Sequence, residues 1–286
     1  MTPAEPAANR DALFSLSGRV VVITGAAGLL GREHAEAVAT FGGNLVLLDL
    51  DAAAVEEMAT ALAASHDVDA VGLAVDITDE AAVEGACSKV LERFGRVDGL
   101  VNNAANNPKV EGGQLGSASR LENFTLDQWN ADIEVGLTGA FLCAKHFGNA
   151  IFNTSEQGSI VNISSDLGLI APDQRLYGQP GLPDEEQAVK PVTYSVTKAG
   201  LIGLTRYLAT YWTRDGKVTV RCNAICPGGV ANGQDEAFVS EVSSRIPLGR
   251  MAEPDEMRGT LVLLLSSASS YANGSVFAVD GGRTAW

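Results

Sequence analysis

RVVVITGAAGLLGREHAEAVATFGG, residues 19–43, decides the fold. Arg19–Thr24 is a continuous, β-branched run of the kind a strand buried on both faces carries. Leu30–Phe41 has helical periodicity, and Gly42-Gly43 supplies its stop. Between them Gly25, Gly28 and Gly31 recur at every third position. A glycine-rich turn from strand to helix lets a pyrophosphate approach the backbone and sit on the helix N-terminus. Glycine also serves plain tight turns, so the strand-to-helix context carries the reading. A second strand, Asn44–Leu48, runs into Asp49, which lies 18 residues past Gly31. A carboxylate there accepts hydrogen bonds from ribose hydroxyls and repels a 2′-phosphate, which favours NAD over NADP. Capping the next helix is the alternative use of Asp49, and Asp51 fits that role too.

The alternation continues outward. Ala52–Ser65, Asp79–Phe94, Leu126–Phe152, Val192–Thr213 and Pro254–Ser266 read as helices. Ala70–Val75, Val97–Val101, Ser159–Ile163, Val218–Ile225 and Ser275–Val279 read as strands. Strand–helix alternation predicts parallel strands with right-handed crossovers. The fold class is therefore α/β: a Rossmann-type, doubly wound, seven-stranded parallel sheet flanked by helices. No linker or repeat divides it. One catalytic domain is expected over residues 16–286, after a flexible tail, 1–15, rich in Pro, Ala and acidic residues. Two long irregular stretches, Asn106–Asn123 and Asp166–Pro191, leave the carboxyl ends of strands, where loops carry function.

Composition narrows the partners. The 286 residues are 46% hydrophobic, which fits a packed soluble domain. The net charge of −15 argues against nucleic acid and against an anionic membrane surface. No run approaches the length of a membrane helix, and Met1 to Leu16 lacks the pattern of a signal peptide. Cys87, Cys143, Cys222 and Cys226 read as buried thiols in a reducing cytoplasm. His34, His66 and His146 share no ligand spacing, so no metal site is expected.

Tyr194-Ser-Val-Thr-Lys198 puts a phenol and an ammonium at i, i+4 on one helix face. A free phenol titrates near 10, and a nearby ammonium lowers it into a range useful for proton transfer. Alone the pattern is weak; in order with others it is specific. Asn102-Asn103-Ala104-Ala105 follows strand four, and Asn162-Ile163-Ser164-Ser165 ends strand five. Pro227-Gly228 follows strand six, and Val279-Asp280-Gly281-Gly282 follows strand seven. With Asp76-Ile77 and the glycine turn, these motifs resemble the short-chain dehydrogenase/reductase family, single-domain branch, from Leu16 to Gly282.

That resemblance implies an NAD-dependent oxidoreductase interconverting a secondary alcohol and a ketone. Tyr194 transfers the proton, Lys198 lowers the phenol pKa and binds the nicotinamide ribose, and Ser165 orients the substrate oxygen. Cofactor contacts fall on Gly25, Ala27, Gly28, Leu29, Leu30, Asp49, Asp76 and Ile77. They continue at Asn103, Ala104, Ala105, Lys198, Pro227, Gly228 and Val230. Asp166, Gln174, Arg175 and Gly229 fall on the substrate side. A homotetramer is implied, with Trp286 near a neighbouring subunit.

Three features depart from the family pattern. The glycines run GxxGxxG where this branch more often has GxxxGxG. Gly136 stands where an Asn commonly supports a water chain to the lysine. Ser165 and Tyr194 are 29 residues apart, because the segment 166–191 is inserted between them. That insertion is polar, and its Asp173, Gln174, Arg175 and Tyr177 suit a sugar, polyol, sugar phosphate or nucleotide sugar. It is similar to relatives from bacterial sugar pathways, including surface-polysaccharide and nonulosonate biosynthesis. A surface loop or subunit contact is an open alternative for the same segment. An epimerase or dehydratase with internally recycled NAD, and a non-catalytic NAD-binding protein, are the open alternatives for the whole.

Overall fold

The computed structural model describes residues 10–106, 116–179 and 181–286. The sheet strands are β1 Val20–Thr24, β2 Asn44–Asp49, β3 Ala70–Ala74, β4 Gly99–Asn102, β5 Gly158–Ile163, β6 Val220–Pro227 and β7 Val276–Val279. All pair in parallel, in the order β3-β2-β1-β4-β5-β6-β7. The chain crosses from one edge back to the middle between β3 and β4. The junction of β1 and β4 is thus the switch point, where such sheets bind ligands.

The helices are α1 Arg10–Phe14, α2 Leu29–Thr40, α3 Ala52–His66 and α4 Glu80–Phe94, then a long helix, α5, over 126–154, followed by α6 Val192–Leu208, α7 Glu236–Ser243 and α8 Arg258–Leu265. Successive strand residues point to opposite faces. Val20, Val22, Val46 and Leu48 accordingly pack into one core, with Leu142, Phe147 and Trp212. Val21, Ile23, Leu45 and Leu47 pack into the other, with Ala35, Val38 and Leu261. This two-sided burial is why β1 and β2 read as unbroken apolar runs.

Some elements differ from the expected ones. Arg10–Phe14 is helical and tied down by Ser267, whose hydroxyl donates to the Leu13 carbonyl at 3.0 Å; residues 1–9 of the expected tail lie outside the described residues. So do residues 107–115 of the loop after β4, and Pro180 of the insertion. The long helix contains two π segments, Glu134–Thr138 and Ala144–Gly148. Helix α6 ends at Leu208, short of Thr213, because Thr213–Arg214 and Lys217–Val218 form a small antiparallel ribbon. Its turn is Asp215-Gly216, both at positive φ, a pair suited to a tight hairpin. Helix α7 was not expected; Asp235 caps it by accepting from the Phe238 amide at 2.9 Å.

One buried group makes stability depend on acid. His34 lies inside α2, fully buried, and neither ring nitrogen has a hydrogen-bond partner among the described residues. Burial pushes its pKa down to about 4. The unfolded chain binds that proton near 6.5, so acid favours unfolding. Stability is complete above about 6.5 and falls toward about 4, by roughly 2.5 kcal/mol at pH 4.5. His34→Leu removes this slope while leaving the carboxylates in place. Urea unfolding at pH 7 and pH 4.5 should show the variant gaining on the native chain in acid. An equal difference at both pH values would reject the assignment.

Candidate active site

A cavity of about 770 Å³ opens along the carboxyl ends of the strands, over the switch point. Its first wall is the glycine turn. Gly25 adopts a φ of +61°, and a Cβ there would lie 2.8 Å from Ala104 Cα. A Cβ on Gly31 would lie 2.1 Å from the Gly25 carbonyl oxygen. Only glycine fits either place, so the turn stays thin. No side chain caps the N-terminus of α2, and Leu29 and Leu30 line the cavity there. Uncapped N-terminal amides favour an anion such as a pyrophosphate.

The turn is clasped from the far side of the switch point. Asn103 Nδ2 donates to the carbonyls of Thr24 and Gly25, each at 3.0 Å. Thr24 Oγ1 accepts from the amides of Asn103 and Ala104, each at 3.1 Å. Asp49 Oδ2 accepts from the Ala27 amide at 2.9 Å, which ties the end of β2 to the turn. Asp51, by contrast, caps α3 through the Ala54 amide. The two readings of Asp49 and Asp51 thus separate. Asp49, Asp51 and Asp76 all line this end of the cavity, and among the described residues no Lys or Arg lines it with them.

The opposite end holds the proposed chemistry. Ser165, Tyr194 and Lys198 all line it, although 29 residues separate Ser165 from Tyr194. The insertion begins tightly enough to keep them together. Ser164 Oγ donates to the Lys198 carbonyl at 2.7 Å, and a Cβ on Gly168 would lie 2.9 Å from the same backbone. Lys198 Nζ donates to the Ile163 carbonyl at 2.8 Å and lies 5.8 Å from the Tyr194 ring centre. Burial and the charge of Lys190 bring Lys198 down to about 8.

Tyr194 departs from expectation. Its phenol lies above the ordinary value, because desolvation outweighs the hydrogen bond with Ser165. The Lys198 ammonium, expected to lower it, is directed at the Ile163 carbonyl. A protonated phenol is the form that donates to a ketone. Ser165 Oγ donates to Asp166 Oδ1 at 2.8 Å.

Ala105, Ile77, Pro227, Gly228, Gly229, Val230 and Asp166 also line the cavity. Gln174 and Arg175 do not. Arg175 is 84% exposed and folds onto Asp173, which also pairs with Arg245. Gln174 instead accepts from the Lys190 amide at 2.8 Å and so fixes the end of the insertion. In their place stand Lys190, Arg283 and Gln234. The sequence marks Lys190 only as a cation four residues before Tyr194, and Arg283 only as a cation after the Gly281-Gly282 turn.

The layout defines a nicotinamide-dependent dehydrogenase, and the chain belongs to the short-chain dehydrogenase family, whose members act on alcohol groups with a nicotinamide cofactor. Residues 19–178 match the family model described as short chain dehydrogenase, and residues 184–284 match one described as enoyl-(acyl carrier protein) reductase. Among similar proteins, D-threitol dehydrogenase of Mycolicibacterium smegmatis is 31% identical over 276 residues, covering 95% of both chains. NADP-dependent mannitol dehydrogenase of Alternaria alternata is 33% identical over 277 residues, covering 94% of both. A solved gluconate 5-dehydrogenase from Burkholderia cenocepacia, in complex with NADP and tartrate, superposes with a TM-score of 0.80. It is 26% identical, over 96% of this chain and 99% of that one.

The Gly136 departure has a local cause. A Cβ there would lie 3.0 Å from Thr197 Cγ2 and 3.1 Å from Thr197 Cβ, so an asparagine side chain requires Thr197 to give by a few tenths of an ångström. Nearby, the buried Asp132 carboxylate gathers Asn106, Gln128 and Thr193, joining the β4 loop, α5 and α6. Gly136→Asn should destabilise by about 1–3 kcal/mol through overpacking. Adding Thr197→Ser, which deletes Cγ2, should recover part of that loss. Thermal unfolding of both variants is the check.

Proposed function

We propose that this chain is an NAD-dependent dehydrogenase interconverting a secondary alcohol and a ketone on a polyol or sugar derivative. The observation that carries it is the convergence of Ser165, Tyr194 and Lys198 at one end of a glycine-walled cavity. The glycine turn, Asn103 and the uncapped end of α2 suit the pyrophosphate; Asp49 and Asp76 suit the adenosine half; Lys198 suits the nicotinamide ribose. NAD is favoured over NADP because Asp49, Asp51 and Asp76 would repel a 2′-phosphate. The nicotinamide, when bound, exchanges hydride with the substrate carbon.

The chain's own residues handle the proton. Tyr194 donates it to the carbonyl oxygen in reduction and accepts it from the hydroxyl in oxidation. Ser165 holds that oxygen, turning its hydroxyl from Asp166 toward the substrate. Lys198, held below its ordinary value, gives up its proton before the buried phenol does and can then receive the one that Tyr194 takes from the substrate hydroxyl. Oxidation needs the pair to have lost one proton. With Lys198 brought down to about 8, oxidation should rise as pH rises through about 8, while reduction falls. Polyol substrates are suggested by the threitol, mannitol and gluconate dehydrogenases it is similar to.

A homotetramer in a reducing cytoplasm completes the reading. Phe141, on the long helix, and Val196, Tyr207 and Tyr211, in and just after α6, present large apolar side chains to solvent. The four cysteines are unpaired and buried. Among the described residues, no helix is long and apolar enough to cross a membrane.

NADH formation from NAD, followed over pooled polyols and sugar acids for the native enzyme and Tyr194→Phe, tests the activity. The variant should lose about 10²–10⁴-fold in kcat while binding NAD normally. Equal turnover by both proteins would remove Tyr194 from the mechanism. Asp49→Ala should narrow the NAD-over-NADP preference at least ten-fold; a native enzyme that prefers NADP would overturn the reading of that carboxylate.

A further inference from the structure

The cavity is electrically lopsided. Its adenosine end is lined by Asp49, Asp51 and Asp76. Among the described residues, its substrate end is lined by Lys190, Lys198 and Arg283, against one carboxylate, Asp166. This concentration of cations stands out in a chain of net charge −15. Lys198 is committed to the Ile163 carbonyl and the reacting tyrosine. Lys190 and Arg283 lie outside the Ser165, Tyr194 and Lys198 set, Lys190 acting on it through its charge on Lys198, yet both are held in place.

Lys190 is the last cation of the insertion. Its backbone is fixed by Gln174 and that of Val189 by Ser119, whose Oγ accepts at 2.9 Å. Its ammonium stands 3.9 Å from the Tyr194 ring centre, and the residue lines the cavity. Arg283 arrives from the opposite direction, in the turn after β7, with a side chain only 10% exposed. Its Nε is 3.3 Å from Asp166 Oδ2, a contact too long and too narrow to engage the whole fork of five donors. The Ser165 hydroxyl and the Leu167 amide both donate to Oδ1 of Asp166, each at 2.8 Å, so Arg283 meets this carboxylate through Oδ2 alone. Leu167, Leu176, Phe238, Val242 and Met251 line the same end, so a charge between the cations is partly shielded from water.

We infer that Lys190 and Arg283 form a recognition site for an anionic group on the substrate, so that this dehydrogenase acts on a polyhydroxy chain carrying a carboxylate or phosphate rather than on a neutral polyol. The inference rests on the dehydrogenase reading above and narrows its substrate class. The guanidinium offers the planar, two-pronged contact a carboxylate or phosphate takes, and the ammonium closes the other side as a point charge. Opposite charge at the two ends of the cavity also orients the encounter, drawing an anion to the reacting end.

The test compares matched compounds: aldonates, the alditols of the same length and stereochemistry, and the alditol phosphates. It uses the native enzyme, Lys190→Met, Lys190→Arg and Arg283→Met, all saturated with NAD. The expected result is a kcat/KM for one anionic series at least ten-fold above the matched alditol. Lys190→Met and Arg283→Met should each shrink that ratio ten-fold or more, chiefly through KM, and Lys190→Arg should restore much of it. An aldonate preference identifies the anion as carboxylate, and an alditol phosphate preference identifies it as phosphate. A native preference for neutral alditols, or a ratio unmoved by both Met variants, overturns the inference.

Absence of turnover on every compound would instead fail the polyol reading, and a binding measurement then decides the anion site. Tartrate, compared with threitol, should raise the melting temperature of the NAD-saturated native protein. That shift should vanish in the double variant Lys190→Met/Arg283→Met. Equal shifts with tartrate and threitol, or a tartrate shift that survives in the double variant, reject the site.

Discussion

At the carboxyl ends of β1 and β4 two backbones come closer than any side chain permits. A methyl on Gly25 would collide with Ala104, and one on Gly31 would collide with the Gly25 carbonyl. The approach is held by Asn103, whose amide spans the Thr24 and Gly25 carbonyls, and by Thr24, whose hydroxyl accepts two amides in return. The sheet reverses its winding at this junction, so the helices leave in opposite directions and a trough opens between them. Asp49 reaches the turn from one side, and Ser165, Tyr194 and Lys198 stand on the other. Loosening the junction would disperse groups that lie far apart in the chain.

The elements that position the site were legible where a local rule acted alone. The strand cores of β1, β2 and β5 read correctly because burial on both faces demands unbroken apolar runs. The glycine turn read correctly because its three glycines sit between a strand and a helix. The π segments of α5 left no compositional trace that helical periodicity could read. Helix α7 is only eight residues long, but Asp235 before Glu236, followed by Phe238, Val239 and Val242, was a usable start signal.

The site was legible to the extent that its residues travel in motifs. Lys190 and Arg283 do not. Each is one cation beside a recognisable landmark, and only the packing of β7 and the insertion brings them to the same cavity. Gln174 and Arg175 had the right chemistry for a sugar and the wrong direction, because Asp173 supplies a nearer partner for Arg175. The phenol of Tyr194 illustrates a different limit. The i, i+4 spacing fixes which face Lys198 shares with it, but the lysine has a carbonyl within reach, and burial governs the tyrosine.

The two π segments in the long helix carry a consequence for the phase of everything beyond them. Each residue of an α-helix advances the side-chain direction by about 100°. A π turn holds about one residue more than an α turn, so a loss within Glu134–Thr138 is absorbed as that turn closes, whereas a residue removed from the α-helical Leu126–Ile133 would rotate the downstream helix by about that angle. Gly139, which leaves room for Ile77, and Gly148, which leaves room for the Trp212 ring, would then turn away, and bulkier neighbours would swing into those gaps. The helix therefore tolerates substitution far better than a change in length: its small residues are set by angular position, and one deletion would misplace them all at once.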